Sequence, residues 1–183
     1  MSDNTPQDLS ETIKSPIGTV SITVTSNGRA SISKGQMPKT LENGMSIEYS
    51  ESVLISVVPT THCLGIKVSC VLNTSDIIGT SATGECLDCI EWFNKIWHMT
   101  LGTEDTDSLQ NRYPHIDIQT IPYPIKYNDS GITMDLVLMN VPDVVSLHVI
   151  VSAKRLPDER DCTAWFFADI AHEQVVKAVC GIS

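Results

Sequence analysis

Glu85-Cys-Leu-Asp-Cys-Ile-Glu-Trp-Phe-Asn-Lys-Ile-Trp-His-Met-Thr-Leu-Gly102 is the stretch whose reading decides the fold. Turned at roughly 100° per residue, it places Cys86, Cys89, Ile90, Phe93, Ile96, Trp97 and Leu101 on one face and Asp88, Glu91, Lys95 and His98 on the other. That spacing predicts one amphipathic helix. Thr83 suits its N-cap, Glu85 its first turn and Gly102 a left-handed end. Trp92 falls on the polar side beside Met99, so it is expected as an exposed aromatic flank.

Outward from this stretch the chain is written in strands. Val20, Ile22 and Val24 alternate with hydroxyl residues, and a three-residue Ser26-Asn27-Gly28 loop would set Val24 opposite Ala30 and Ile22 opposite Ile32. A second hairpin is expected from residues 47–57 and 64–72, turning through 60–63. Beyond the helix, residues 103–113 read as an exposed acidic loop, and 116–121 as a short edge strand broken by Pro122 and Pro124. Residues 132–139 and 144–151 are apolar on both alternating sets, which implies burial on two sides. Residues 162–170 read as an internal strand. Residues 171–180 form either a short helix capped by Asp169 or a strand through Val175 and Val176. The predicted class is α+β: a mostly antiparallel sheet of about seven strands built from hairpins, with one amphipathic helix on a face and a short C-terminal helix. Residues 1–16 are polar and contain two prolines, marking a flexible tail, and 17–183 are long enough for a single domain.

Composition narrows the function classes. No apolar run among the 183 residues approaches the ~20 needed to cross a bilayer. The N-terminus lacks the basic start and apolar core of a secretory leader, so the expected location is cytoplasmic, with the six cysteines reduced. The net charge is -10, and between Val68 and Asn111 seven acids face Lys95 as the sole base. Such a field repels nucleic acid and anionic membranes and steers a basic protein toward it.

Short motifs add little. Cys86-Leu-Asp-Cys89 could hold zinc or exchange thiols, but no second ligand pair has matching spacing and both cysteines share the apolar helical face. His115 and Asp117 lie on one side of a strand without a recognisable third ligand, while His62, His148 and His172 read as packing, cap or surface groups. Nucleophile elbow, phosphate loop, dinucleotide fingerprint and calcium loop are all missing, so no catalytic residue, cofactor or metal ligand is expected. What remains is a protein-interaction module, in which Asp88, Glu91, Trp92, Glu104, Asp105 and Asp107 dock a basic partner as an immunity- or antitoxin-type inhibitor would. One alternative is a structural or assembly subunit of viral or phage type acting by self-association as a homo-oligomer. The other is a small metal-dependent or thiol enzyme using His115, Asp117 and the Cys86/Cys89 pair.

Overall fold

A computed structural model describes residues 7–83, 87–114, 116–117, 123–141, 143–156 and 163–181. Along the chain run β1 (Gln7–Lys14), β2 (Thr19–Ser26), β3 (Arg29–Gln36), β4 (Tyr49–Val58), β5 (Cys63–Asn73), β6 (Gly79–Thr83), β7 (Leu87–Phe93) and β8 (Trp97–Glu104). Helix α1 (Thr106–Arg112) follows, then β9 (Ile125–Asn128), β10 (Gly131–Met139), β11 (Val145–Arg155), α2 (Thr163–Ala168) and α3 (His172–Cys180). One sheet has the order β1-β2-β5-β10-β9 and the other β3-β4-β11-β8-β7-β6, and every pairing is antiparallel. The mainly antiparallel architecture and the C-terminal helix agree with the sequence reading, with more strands than the seven expected.

The two sheets share one core. Val20, Ile22 and Val24 of β2 and Ile66 and Val68 of β5 meet Val53 and Ile55 of β4 and Leu147 and Val149 of β11 in a single cluster of buried side chains. Alternation within each strand decides which residues join it. Strand β11 sends Val145, Leu147, Val149, Val151 and Ala153 to this core. Its other set, Ser146, His148, Ile150 and Ser152, lies on the opposite side, where Ile150 packs with Ala168 of α2 and Val175 of α3. The two-sided burial expected for this strand is therefore met by a second sheet on one face and helices on the other.

The predicted central helix is replaced by a hairpin. Strands β7 and β8 pair antiparallel, with Ile90 opposite Leu101 and Trp92 opposite Met99, all four in the core. Asn94 makes the turn: its backbone N–H donates to Trp97 O at 3.0 Å, and its Oδ1 accepts from the N–H groups of Ile96 and Trp97 at 2.8 and 2.7 Å. An asparagine side chain that satisfies two turn amides gives the chain a local alternative to helix. The period-2 set Ile90, Trp92, Met99, Leu101 then wins, since it buries a tryptophan that the helical reading left in water. Trp92 is fully buried, and its Nε1–H donates to Asp129 O at 2.9 Å. Gly102, expected to end a helix, pairs with Cys89 and Ile150 inside the sheet.

Other expectations are corrected in the same way. Neither N-terminal hairpin forms, because β2 and β5 belong to one sheet and β3 and β4 to the other. At Asn27-Gly28 the chain crosses between sheets: Asn27 Oδ1 accepts from Gly65 N at 2.8 Å, and a Cβ on Gly28 would stand 2.7 Å from Val58 O. Only a glycine fits that close approach. Gln7–Lys14, assigned to the flexible tail, pairs along its whole length with β2, while residues 1–6 lie outside the described residues. The acidic loop contains helix α1 with Leu109 buried beneath it, and within the strand expected at 162–170 residues 163–168 form helix α2, Cys162 lying outside the described residues. Helix α3 is capped at Ala171 rather than Asp169, and ends on Gly181 with φ 66°. No helix among the described residues is long and apolar enough to cross a membrane.

Candidate functional site

Strand β8 ends at Glu104, on the face of its sheet that the helices cover. There Glu104 meets His148 from β11, His172 from the start of α3 and Arg112 from the last turn of α1. Arg112 holds the carboxylate as a fork, Nε to Oε1 at 2.9 Å and Nη2 to Oε2 at 2.7 Å. Its Nη2 also donates to Ser146 O at 2.8 Å, and the Tyr113 hydroxyl accepts from Ser146 N at 2.8 Å, so both side chains are tied to β11.

The imidazoles approach the same carboxylate from the other side. His148 Nδ1 and His172 Nδ1 are 2.9 Å apart, and each is 3.5 Å from Glu104 Oε2. His172 Nε2 lies 2.8 Å from Ser146 Oγ. Burial, reinforced by the charge of Arg112, holds the His172 imidazolium down to about 4, so the ring is neutral near pH 7. Hydrogen bonds from His148 and Arg112 outweigh burial at Glu104 and keep its carboxyl below the usual range. Beside this network opens a cavity of about 470 Å³, lined by Thr103, Glu104, Arg112, His148 and His172 together with Asp169 and Glu173.

A second cleft, of about 510 Å³, lies where β9 of one sheet approaches β7 of the other. Asp88, Asp105 and Asp107 line it together with Tyr123, Lys126 and Tyr127. Asp105 caps α1, accepting from Ser108 N at 2.7 Å, and Asp107 is exposed in the first turn. Burial and then the neighbouring charge of Asp105 push the Asp88 carboxyl up to about 6, against the effect of a bond from the Thr106 N–H. Burial and Asp105 also raise Asp169. Tyr123 is 73 % exposed and Tyr127 is exposed beside it.

Of the six residues predicted to form one docking face, three come together in this cleft: Asp88, Asp105 and Asp107. The others go elsewhere. Trp92 is in the core, so it cannot serve as a surface anchor. Glu91 stands 2.9 Å from His98 Nε2, and Glu104 is turned inward to Arg112. Cys86 and His115 lie outside the described residues, Cys89 is buried against the helices, and Asp117 N donates to Val137 O at 2.8 Å. Cys63, Cys70 and Cys180 are free thiols. The sequence reading missed Arg112, His148, His172, Tyr123 and Tyr127. The outward set of β11 carried a usable signal, since a histidine among Ser146, Ile150 and Ser152 needs a polar partner once that face is covered.

No protein-family model, curated protein or solved structure matches the chain.

Proposed function

We propose that the protein is an interaction module that docks a basic segment of a partner protein in the cleft of Asp88, Asp105 and Asp107. The observation that supports this reading is the unbalanced charge there: among the described residues three aspartates share the cleft with Lys126 as its one lining cation. Burial raises the Asp88 carboxyl, and repulsion by Asp105 adds to that rise. Arginine or lysine side chains entering the cleft relieve that repulsion, and Tyr123 and Tyr127 supply the rigid aromatic surface on which binding energy concentrates. Inhibition of a basic enzyme or toxin is one form of this activity.

The test is affinity capture from the source lysate with wild type, Asp107→Lys and Tyr123→Ala, followed by affinity measurement on whatever is retained. A basic protein released by salt, bound about tenfold more weakly by Tyr123→Ala and with a shallower salt dependence for Asp107→Lys, supports the reading. Equal binding by all three proteins contradicts it.

Self-association as an assembly subunit is favoured by a different feature. Strand β6 ends the six-stranded sheet with Gly-Thr-Ser-Ala-Thr, a run without charge or proline, and Ile77 and Ile78 before it are exposed. Among the described residues no strand pairs with its outer edge, and such an edge invites strand addition from a second copy. Light scattering of wild type and Ser81→Pro decides it: a defined oligomer lost in the variant supports assembly, and a monomer in both excludes this edge.

A further inference from the structure

We infer that Glu104, His148 and His172 form a binding site for a divalent transition metal, separate from the acidic cleft. Their ligand atoms lie within 4.8 Å of one another. The triangle of His148 Nδ1, His172 Nδ1 and Glu104 Oε2 has edges of 2.9, 3.5 and 3.5 Å. A point roughly 1.9 Å from all three corners lies at its centre, and an ion slightly above that plane has three bonds of about 2.0–2.1 Å, the lengths at which nitrogen and carboxylate oxygen bind zinc. Two imidazoles and one carboxylate are a donor set for zinc, iron, cobalt or manganese rather than for calcium or magnesium.

The surroundings are those of a ligand shell. Each carboxylate oxygen has two acceptor positions, so Glu104 Oε2 can accept from Arg112 Nη2 on one and face the ion with the other. His172 Nε2 has Ser146 Oγ at 2.8 Å, the partner that a ring ligating through Nδ1 needs for its other nitrogen. In the metal-free protein one Nδ1–H must donate across the 2.9 Å between the rings; metal binding moves that proton to the Nε2 of the same neutral ring. Three protein ligands leave a tetrahedral ion one position short. All three side chains line the 470 Å³ cavity, which has room for water or a small anionic ligand there, and Asp169 and Glu173 at its wall offset the positive charge of Arg112.

The experiment loads chelator-treated full-length protein with Zn²⁺ and with Co²⁺. Calorimetry is expected to give one site per chain, and the Co²⁺ protein a visible spectrum of low coordination number without a thiolate charge-transfer band. His172→Gln keeps a group for Ser146 but removes Nδ1, and should bind at least about a hundredfold more weakly, as should His148→Ala. Because a variant can lose its fold, imidazole ¹⁵N resonances of the wild type are recorded as Zn²⁺ is added, and both Nδ1 signals of His148 and His172 are expected to shift together. Failure to bind either ion stoichiometrically, a thiolate band, or Zn²⁺ that leaves these two rings unshifted would overturn the assignment.

Discussion

Glu104 and Asp105 are neighbours in the chain, yet they end in different electrostatic surroundings. Glu104 points inward to Arg112, His148 and His172, all from its own chain, and its carboxyl stays below the usual range. Asp105 faces the cleft shared with Asp88 and Asp107, where its charge adds to burial in raising Asp88. A carboxylate taken out of water must be matched, and β8, β11, α1 and α3 together match the first. The second cluster is left to solvent or to a partner. Adjacent residues thus send one carboxylate into a network of the chain's own side chains and the other to an open cleft.

The largest effect expected from breaking this contrast comes from Arg112→Met. Removing the fork leaves Glu104 buried without its guanidinium partner, which should cost about 3 kcal/mol in chemical denaturation. Asp107→Asn in the cleft should change stability by less than about 0.5 kcal/mol under the same conditions. Comparable losses in both variants would remove the distinction between the two regions.

Acid sharpens the contrast, because the two regions respond with opposite sign in metal-free protein. The unfolded chain protonates His172 near 6.5 and the native chain only near 4, so this group costs stability as pH falls through that window. Arg112, His148, Glu104 and Glu173 are the charged or titratable groups that act on it. Asp88 behaves in reverse: the native carboxyl takes its proton near 6 and the unfolded one near 3.8, so its native-state penalty is present above 6 and relieved as pH falls to 4. Denaturation at pH 7 and pH 5 should show a smaller acid loss for His172→Gln than for wild type, and a larger one for Asp88→Asn.

The smallest expected effect on stability is the most useful for function. Asp107→Lys should leave the melting temperature within about 2 °C of wild type, since the residue is exposed, while reducing the association rate of a basic partner at low salt. A rate unaffected by the reversal would mean that the cleft does not steer binding.

How much of this was legible follows from what alternation can and cannot say. Burial of β11 on both faces could be read from residues 144–151, and the helix α3 is one of two readings open for 171–180, with Gly181 after it. Strand neighbours could not be read, because period-2 spacing assigns a face and not a partner. That is why β2 and β3 look like a hairpin around Asn27-Gly28 although they lie in different sheets. In residues 85–102 both periods fit: Ile90, Phe93, Trp97 and Leu101 satisfy a helix, and Ile90, Trp92, Met99 and Leu101 a hairpin. Asn94 and the tryptophan stranded on the polar face were the evidence for the hairpin. The Glu104 network was hidden for another reason: its members are far apart in the chain and meet only after the helices cover the sheet.

The central claim is that Asp88, Asp105, Asp107, Tyr123 and Tyr127 form a receiving surface for basic side chains. ¹H–¹⁵N spectra of the protein titrated with a short peptide of alternating arginine and lysine test it most directly. Saturable shifts concentrated at 88, 105–107, 123 and 125–127, weakened in Tyr123→Ala, are expected. Shifts spread evenly over the acidic residues, or centred elsewhere, would contradict it.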